Sequence, residues 1–140
     1  MLTPENLFQF FNTFILLPWA LMFFLPNWKL TQSLTNSFAV PLSYALAYSV
    51  LIISLLVQNG DSLDFMSLEG IMRMFSSKEA VLVGWIHYLC FDLFVGTWAF
   101  QDAQKNKIPH LLLCLCLVFM FVLAPLGYVL YRLVRKLYGL

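Results

Sequence analysis

Three ionisable side chains lie within or beside one apolar run of this chain, which reads GWIHYLCFDLFVGTWAFQDAQKNKIPH from Gly84 onwards. His87 and Asp92 are inside the apolar residues 80–100, and Asp102 follows them. A charged carboxylate at the centre of a membrane costs on the order of 3 kcal/mol on an insertion scale, so ionisable residues there indicate function by default. This run is therefore the first candidate for a chemical site.

His87 and Asp92 have the residue types needed for general acid–base catalysis, in which one group delivers a proton and another accepts one. On a helix their spacing gives an axial offset of about 7 Å, so they could reach two atoms of one ligand. At 100° per residue Asp92 lies about 140° from His87, with Trp98 and Asp102 between them. The spacing predicts that this broad arc faces the bundle and lines a single cleft, with Trp85 and Trp98 as aromatic walls.

Each of these polar residues also has a structural interpretation. His87 could hydrogen-bond a neighbouring helix, act in catalysis or bind a pigment metal. Asp102 precedes Lys105 by three residues, which favours a solvated surface pair unless Asp102 closes a site. His110 lies near the opposite interface from His87, so the two cannot share one ion, and we predict no metal centre.

Asp92 has the stronger functional case, because a buried carboxyl group needs a partner or must stay neutral. We expect it to face protein and to meet a hydroxyl of the second apolar segment, such as Tyr44 or Tyr48. Those two tyrosines are four residues apart on one face, so they either line the cleft or pack between helices.

Composition identifies the class of protein to which these residues belong. Hydrophobic residues make up 61% of the 140 and charged residues 11%, whereas soluble domains have about 25% charged residues. The net charge of +1 gives no electrostatic case for binding nucleic acid. Membrane lipid is the expected surrounding, and we find no sequence signal for a bound cofactor.

Four apolar runs of roughly spanning length predict an all-α integral membrane protein. We expect a single transmembrane domain over residues 1–140, a four-helix bundle with spans near 7–25, 38–57, 79–104 and 109–134. A short amphipathic surface helix is predicted near 67–75, between the second and third spans. Ser76 or Ser77 should cap the third span.

The connections and breaks between these spans carry further expectations. Residues 30–37 are interpreted as a polar turn, and residues 58–77, which include Asp61, as the one sizeable extramembrane segment. Pro18 predicts a kink in the first span, and Pro125 with Gly127 predicts a bend in the fourth.

Four full spans would place both termini on the same side of the membrane. That side would carry five of the Lys and Arg residues (Arg73, Lys78, Arg132, Arg135, Lys136), against three on the other (Lys29, Lys105, Lys107). The positive-inside rule then favours both termini on the cytoplasmic or stromal face.

Several motifs of the chain resemble those of the abscisic-acid-deficient-four-like family, small membrane proteins linked to neoxanthin synthesis in plants. They are the W-x-H-x4-D-L-F run from Trp85, the downstream Asp102, the I-P-H ending at His110 and the P-x-G at Pro125; the opening PWALMFFLPNW from Pro18 is also similar. This chain departs from the family pattern at two places. The pattern would have a proline near position 113 and a glycine at position 124, where this chain has Leu113 and Ala124.

The resemblance implies a four-helix membrane protein that acts on or binds a xanthophyll, in a thylakoid or plasma membrane. One function is a redox-neutral carotenoid isomerase of the neoxanthin-synthase type, with His87 and Asp92 as acid and base. Substrate contacts would come from six further residues: Trp85, Trp98, Tyr44, Tyr48, Asp102 and Tyr128. The alternative is a non-catalytic pigment-binding or assembly subunit of a larger, photosynthetic membrane complex, or a homo-oligomer.

Overall fold

The protein is entirely helical over the residues described by the computed structural model, 3–59 and 64–139. Asp61 lies outside these ranges. The six helices are α1 (Pro4–Phe24), α2 (Lys29–Asn36), α3 (Ala39–Asn59), α4 (Leu68–Met74), α5 (Lys78–Lys105) and α6 (His110–Leu137).

Four of these helices, α1, α3, α5 and α6, are long and apolar enough to cross a membrane. Their positions agree with the four predicted spans, and α4 agrees with the predicted surface helix. The caps follow the sequence signals: Ser77 accepts a hydrogen bond from the Ala80 amide at the start of α5, and Ser67 caps α4 through the Gly70 amide. Each cap satisfies one of the backbone donors that a helix start leaves free.

Helix α5 is the centre of the fold, and the other long helices pack around it. Over its most apolar 18 residues 56% are buried, against 17–33% for the other three. Glu5 of α1 pairs with Lys78 at the start of α5, and Trp19 packs on Gly96 further along, so α1 runs parallel to α5. Cys90 contacts the Pro41 carbonyl and His87 contacts Tyr48, so α3 runs antiparallel to α5.

The prediction of a polar turn over residues 30–37 was wrong, because these residues form α2. Thr31 and Thr35 make a buried face, and Thr35 donates its hydroxyl proton to the Thr31 carbonyl one turn earlier. Gln32 donates to the Pro26 carbonyl (2.7 Å) and to Gln104 of α5 (2.8 Å). Tertiary contacts of this amphipathic segment thus override its weak intrinsic helix propensity.

The predicted bend in α6 is present and is much sharper than a proline kink. Leu123 has non-helical angles (φ −148°, ψ 79°), two residues before Pro125. A Cβ on Gly127 would collide with the Met120 backbone, although residues seven apart on a straight helix are separated by about 10 Å. The chain therefore turns back on itself at Leu123, and Gly127 permits the close approach of the two legs.

The second leg of α6 returns along α5. The Val122 carbonyl accepts a hydrogen bond from Tyr88, whereas Tyr131 and Arg135 contact Asp102, about 21 Å further along α5. The first leg, residues 110–122, thus runs antiparallel to α5, and the second, residues 124–137, runs parallel to it.

The two ends of the bundle differ as a result. We call the region around residues 101–110 of α5 and the following loop the closed end; α2, the end of α1 and both legs of α6 meet there. We call the region around residues 78–88 of α5 the open end; α1 and α3 pack there, and the bend of α6 meets its inner limit, where the Val122 carbonyl accepts the Tyr88 hydrogen bond.

Candidate functional site

Asp92 is buried in the middle of α5, with 6% of its surface exposed. It ends a stripe of four α5 residues, Val81, Trp85, Tyr88 and Asp92, whose spacing of four, three and four places them on one side of the helix. This stripe begins at the open end and reaches the level at which α6 turns back. The expectation that Asp92 faces protein rather than lipid is confirmed.

The partner of Asp92 is Tyr88, one turn earlier on the same helix. The Tyr88 hydroxyl interacts with the Asp92 carboxyl group and donates its proton to the Val122 carbonyl. The other carboxyl oxygen, Oδ2, is buried and has no hydrogen-bond partner among the described residues. A buried polar atom without a partner is costly and marks a position where a ligand could bind.

The Tyr88 hydrogen bond also explains how the bend of α6 is tolerated. Pro125 has no backbone N–H, and the break at Leu123 releases carbonyl groups of the preceding turn from helical hydrogen bonds. Non-helical backbone at membrane depth must find a partner within the protein. Tyr88 supplies one to Val122, so the bend and the environment of Asp92 are structurally connected.

A groove of about 870 Å³ lies between α1 and α5 at the open end. Its rim carries the Glu5–Lys78 ion pair (2.6 Å), and its walls include Phe8, Leu16 and Val81. This volume is in the range of small-molecule sites. The groove is therefore amphipathic. Its apolar walls suit a ligand with an apolar body, and its charged rim suits a polar group at the end of that ligand.

Trp85 connects this groove to Asp92. Its indole N–H donates to Asn12 Oδ1 (2.7 Å), and its ring lies 5.9 Å from Phe8, two of the groove residues. On its other side it stacks on Tyr88, with the ring centroids 5.3 Å apart. The aromatic surface is therefore continuous from the groove to the residue that contacts Asp92.

His87 lies on a different side of α5. Its ring is exposed and contacts Tyr48 of α3 (5.2 Å) and Phe91 (4.8 Å). No hydrogen bond or ring contact of the described residues joins His87 to Asp92. The structure therefore does not bring the predicted acid–base pair together, because the 140° between them is enough to put them on opposite sides of the helix.

Tyr44 and Tyr48 were expected as hydroxyl donors to Asp92, and neither has that role. The Tyr44 hydroxyl is buried and donates to the Phe11 carbonyl of α1 (2.7 Å). Tyr48 packs on His87. Both residues belong to the helix α3, which is on the other side of α5 from Tyr88.

The remaining predicted residues gather at the closed end. Asp102 accepts a hydrogen bond from Tyr131 (2.7 Å) and pairs with Arg135 Nε (2.9 Å), so its cationic partner is Arg135 rather than Lys105. Trp98 packs against Tyr131 and Tyr128, each at 5.7 Å. This cluster fastens the second leg of α6 to α5.

The described residues contain no group of three His, Cys, Asp or Glu side chains able to hold a metal ion. His110 instead lies 2.9 Å from the Phe23 carbonyl, which its ring N–H can engage.

Tyr88 and Tyr131 were not identified from the sequence, and neither was the partnership of Arg135 with Asp102. For Tyr88 a signal was available, since the stripe from Val81 to Asp92 is visible once Asp92 is used as the reference. For Tyr131 and Arg135 no such signal was available in the sequence, because their contacts depend on the reversal of α6.

Comparison with known proteins gives one match. The model of the family described as ABA DEFICIENT 4-like matches residues 6–131, which is most of the chain. No curated protein and no solved structure matches significantly. The matched region contains α1, Asp92, Tyr88 and the bend of α6. The chain belongs to the ABA DEFICIENT 4-like family, as the sequence motifs had indicated.

Proposed function

We propose that this protein is a membrane-embedded isomerase of xanthophylls, which opens an epoxide or carries out a related carotenoid isomerisation without redox change. One observation supports the proposal above all. The Asp92 carboxyl group is buried at the inner end of an aromatic surface that begins in a groove, and its Oδ2 atom has no hydrogen-bond partner in the part of the chain that the structure describes. Family membership supports a xanthophyll as the substrate class, since the sequence resemblance associates this family with neoxanthin synthesis.

The chemistry requires only proton transfers. An acid donates a proton to the epoxide oxygen as the C–O bond breaks, and a base removes a proton from the adjacent polyene carbon. One proton is added and one is removed, so substrate and product are isomers. A single carboxyl group that donates the first proton and accepts the second returns to its starting state.

Burial favours the acid form of Asp92, because the charged carboxylate loses more than the neutral acid when water is excluded. A tyrosine hydroxyl has one proton, and Tyr88 donates it to the Val122 carbonyl. This hydrogen bond fixes Tyr88 in place one turn from Asp92, whose carboxyl group interacts with it. We therefore assign Asp92 the role of proton donor and Tyr88 the role of positioning it.

The groove would hold the outer part of the xanthophyll, and the ring that carries the epoxide would lie deeper, beside Asp92. The Glu5 and Lys78 pair at the rim could hydrogen-bond a hydroxyl at the outer end of the pigment, while Phe8 and Trp85 would contact its apolar part. The position of His87 on the far side of α5 does not support its role as the second catalytic group. In this proposal the acid–base work belongs to Asp92 with Tyr88.

The experiment is the conversion of an epoxy-xanthophyll by reconstituted protein. Asp92→Asn keeps the size of the side chain and removes its titrating proton, so we expect normal expression and pigment binding with loss of turnover. Tyr88→Phe should lower turnover less, because it removes only the positioning contact. His87→Gln tests the acid–base pair predicted from the sequence, and we expect it to retain turnover. If Asp92→Asn converts the pigment at the original rate, the catalytic proposal is wrong.

A pigment-binding or assembly subunit is the second candidate. Helix α3 favours it, since only 17% of its apolar window is buried and Leu42, Leu46, Val50 and Ile53 form an exposed apolar surface for a further membrane partner. Such a subunit would bind the pigment equally well with Asp or Asn at position 92. Binding without conversion by the unmodified protein would support this candidate.

A further inference from the structure

We propose that α6 enters and leaves the membrane through the same face as a re-entrant hairpin, so that the two termini lie on opposite sides. This inference rests on the path of the helix and on charge, and it does not depend on the proposed activity. It changes the orientation expected from the sequence, which assumed four complete spans.

The first argument is length. Residues 110–122 and 124–137 form helical legs of about 20 Å each, and a complete span needs about 20 residues to cover 30 Å. The legs face each other, since a Cβ on Gly127 would collide with the backbone nitrogen of Met120, seven residues earlier. Neither leg crosses alone, and together they return to the closed end.

The second argument is the position of the end of α6. Arg135 pairs with Asp102, near the end of α5, and the loop that starts α6 is at that same end. Glu5, near the beginning of the chain, is held at the open end by Lys78. A chain with three complete spans and a hairpin has its termini on opposite sides, as these two ion pairs require.

The third argument is charge. With this path six of the eight Lys and Arg residues belong to the closed end: Lys29, Lys105, Lys107, Arg132, Arg135 and Lys136. Arg73 and Lys78 belong to the open end, together with four acidic residues, Glu5, Asp64, Glu69 and Glu79. A distribution of six against two is a stronger bias than five against three. By the positive-inside rule the closed end is the cytoplasmic or stromal face.

This orientation defines the side of the membrane on which the groove opens. The groove lies at the open end, between α1 and the first residues of α5, and so it faces the leaflet opposite the cytoplasm or stroma. A ligand held in the apolar tails of that leaflet can enter the groove sideways, without passing through water.

The test uses single cysteines labelled with a membrane-impermeant maleimide in intact and in permeabilised bacterial cells. Ser76→Cys reports the open end, Ser33→Cys the closed end and Leu137→Cys the C-terminal leg, and all three positions are exposed. The parent chain, whose Cys90 and Cys116 are buried and Cys114 half-buried, gives the background.

We expect Ser76→Cys to react in intact cells, and Ser33→Cys and Leu137→Cys to react only after permeabilisation. If Leu137→Cys reacts on the same side as Ser76→Cys, α6 crosses completely and the proposal is overturned. If Leu137→Cys and Ser33→Cys react together in intact cells, the hairpin is supported and the assigned orientation is overturned.

Discussion

The two ends of this bundle use their polar residues in opposite ways. At the closed end, amide and carboxylate groups connect helices: Gln32 to Gln104, Gln101 to the Thr35 carbonyl and Asp102 to Arg135. At the open end the polar groups line a groove, and the ion pair of Glu5 and Lys78 is solvent-exposed. Asp92, the proposed site of chemistry, lies between the two ends.

This difference assigns separate tasks to the ends. Hydrogen bonds shielded from water stabilise a structure more than exposed ones do, so the closed end holds the helices in register. The open end has few such constraints and leaves space for a ligand. The bend of α6 holds Tyr88, the partner of Asp92, and the stacked rings of Tyr88 and Trp85 connect this position to the groove residues Phe8 and Asn12.

The largest effect should come from filling the contact between the legs of α6. Gly127→Ala places a methyl group against the Met120 backbone, which cannot move aside, so we expect a loss of about 3 kcal/mol of stability. Thermal unfolding in detergent measures it. Gly84→Ala is the matched control, because its methyl would meet only the movable ring of Phe75. Equal stability of the two variants would contradict the closed hairpin.

A smaller effect on stability should distinguish the ion pair at the closed end from the ion pair at the open end. Asp102→Asn weakens the contacts to Tyr131 and Arg135 in a largely shielded place, and we expect a loss of about 1–2 kcal/mol in unfolding free energy. Glu5→Gln at the open end should leave stability unchanged, since exposed pairs contribute little. The comparison fails if Glu5→Gln is the more damaging change.

The smallest effect concerns the start of α4 at the open end. Hydrogen bonds from the Ser67 hydroxyl and the Met66 amide hold the pKa of Asp64 below its ordinary value. Because the pKa of Asp64 is lower in the folded protein, its hydrogen bonds add stability at pH values above the ordinary Asp pKa. That stability is lost as the pH falls through the pKa of the folded protein. The protection factor of the Gly70 amide, which is its exchange rate relative to an unfolded amide at the same pH, should therefore be constant from neutral to mildly acidic pH and fall below the ordinary Asp range. Asp64→Asn should remove this loss of protection.

The sequence predicts the long helices well, because apolar runs of spanning length have few alternatives. It also predicts the burial of Asp92 and a bend near Pro125. It did not predict that α2 is a helix, since its stability comes from Thr31, Thr35 and Gln32 meeting other segments. The pairing of His87 with Asp92 was inferred from one helical arc, and an arc of 140° is too wide to specify one cleft. The partners of Asp102 depend on the reversal of α6, which only the tertiary contacts reveal.

The reversal of α6 has a consequence for how the protein is made. The segment is the most hydrophobic of the four, with a mean hydropathy of 2.6 over its best window, so an insertion machinery would accept it as it emerges from the ribosome. Arg132, Arg135 and Lys136 follow the bend, and in the proposed hairpin they never cross the bilayer. The ion pair of Asp102 with Arg135 can therefore form on the side where synthesis occurs, and it fixes the second leg of α6 in place.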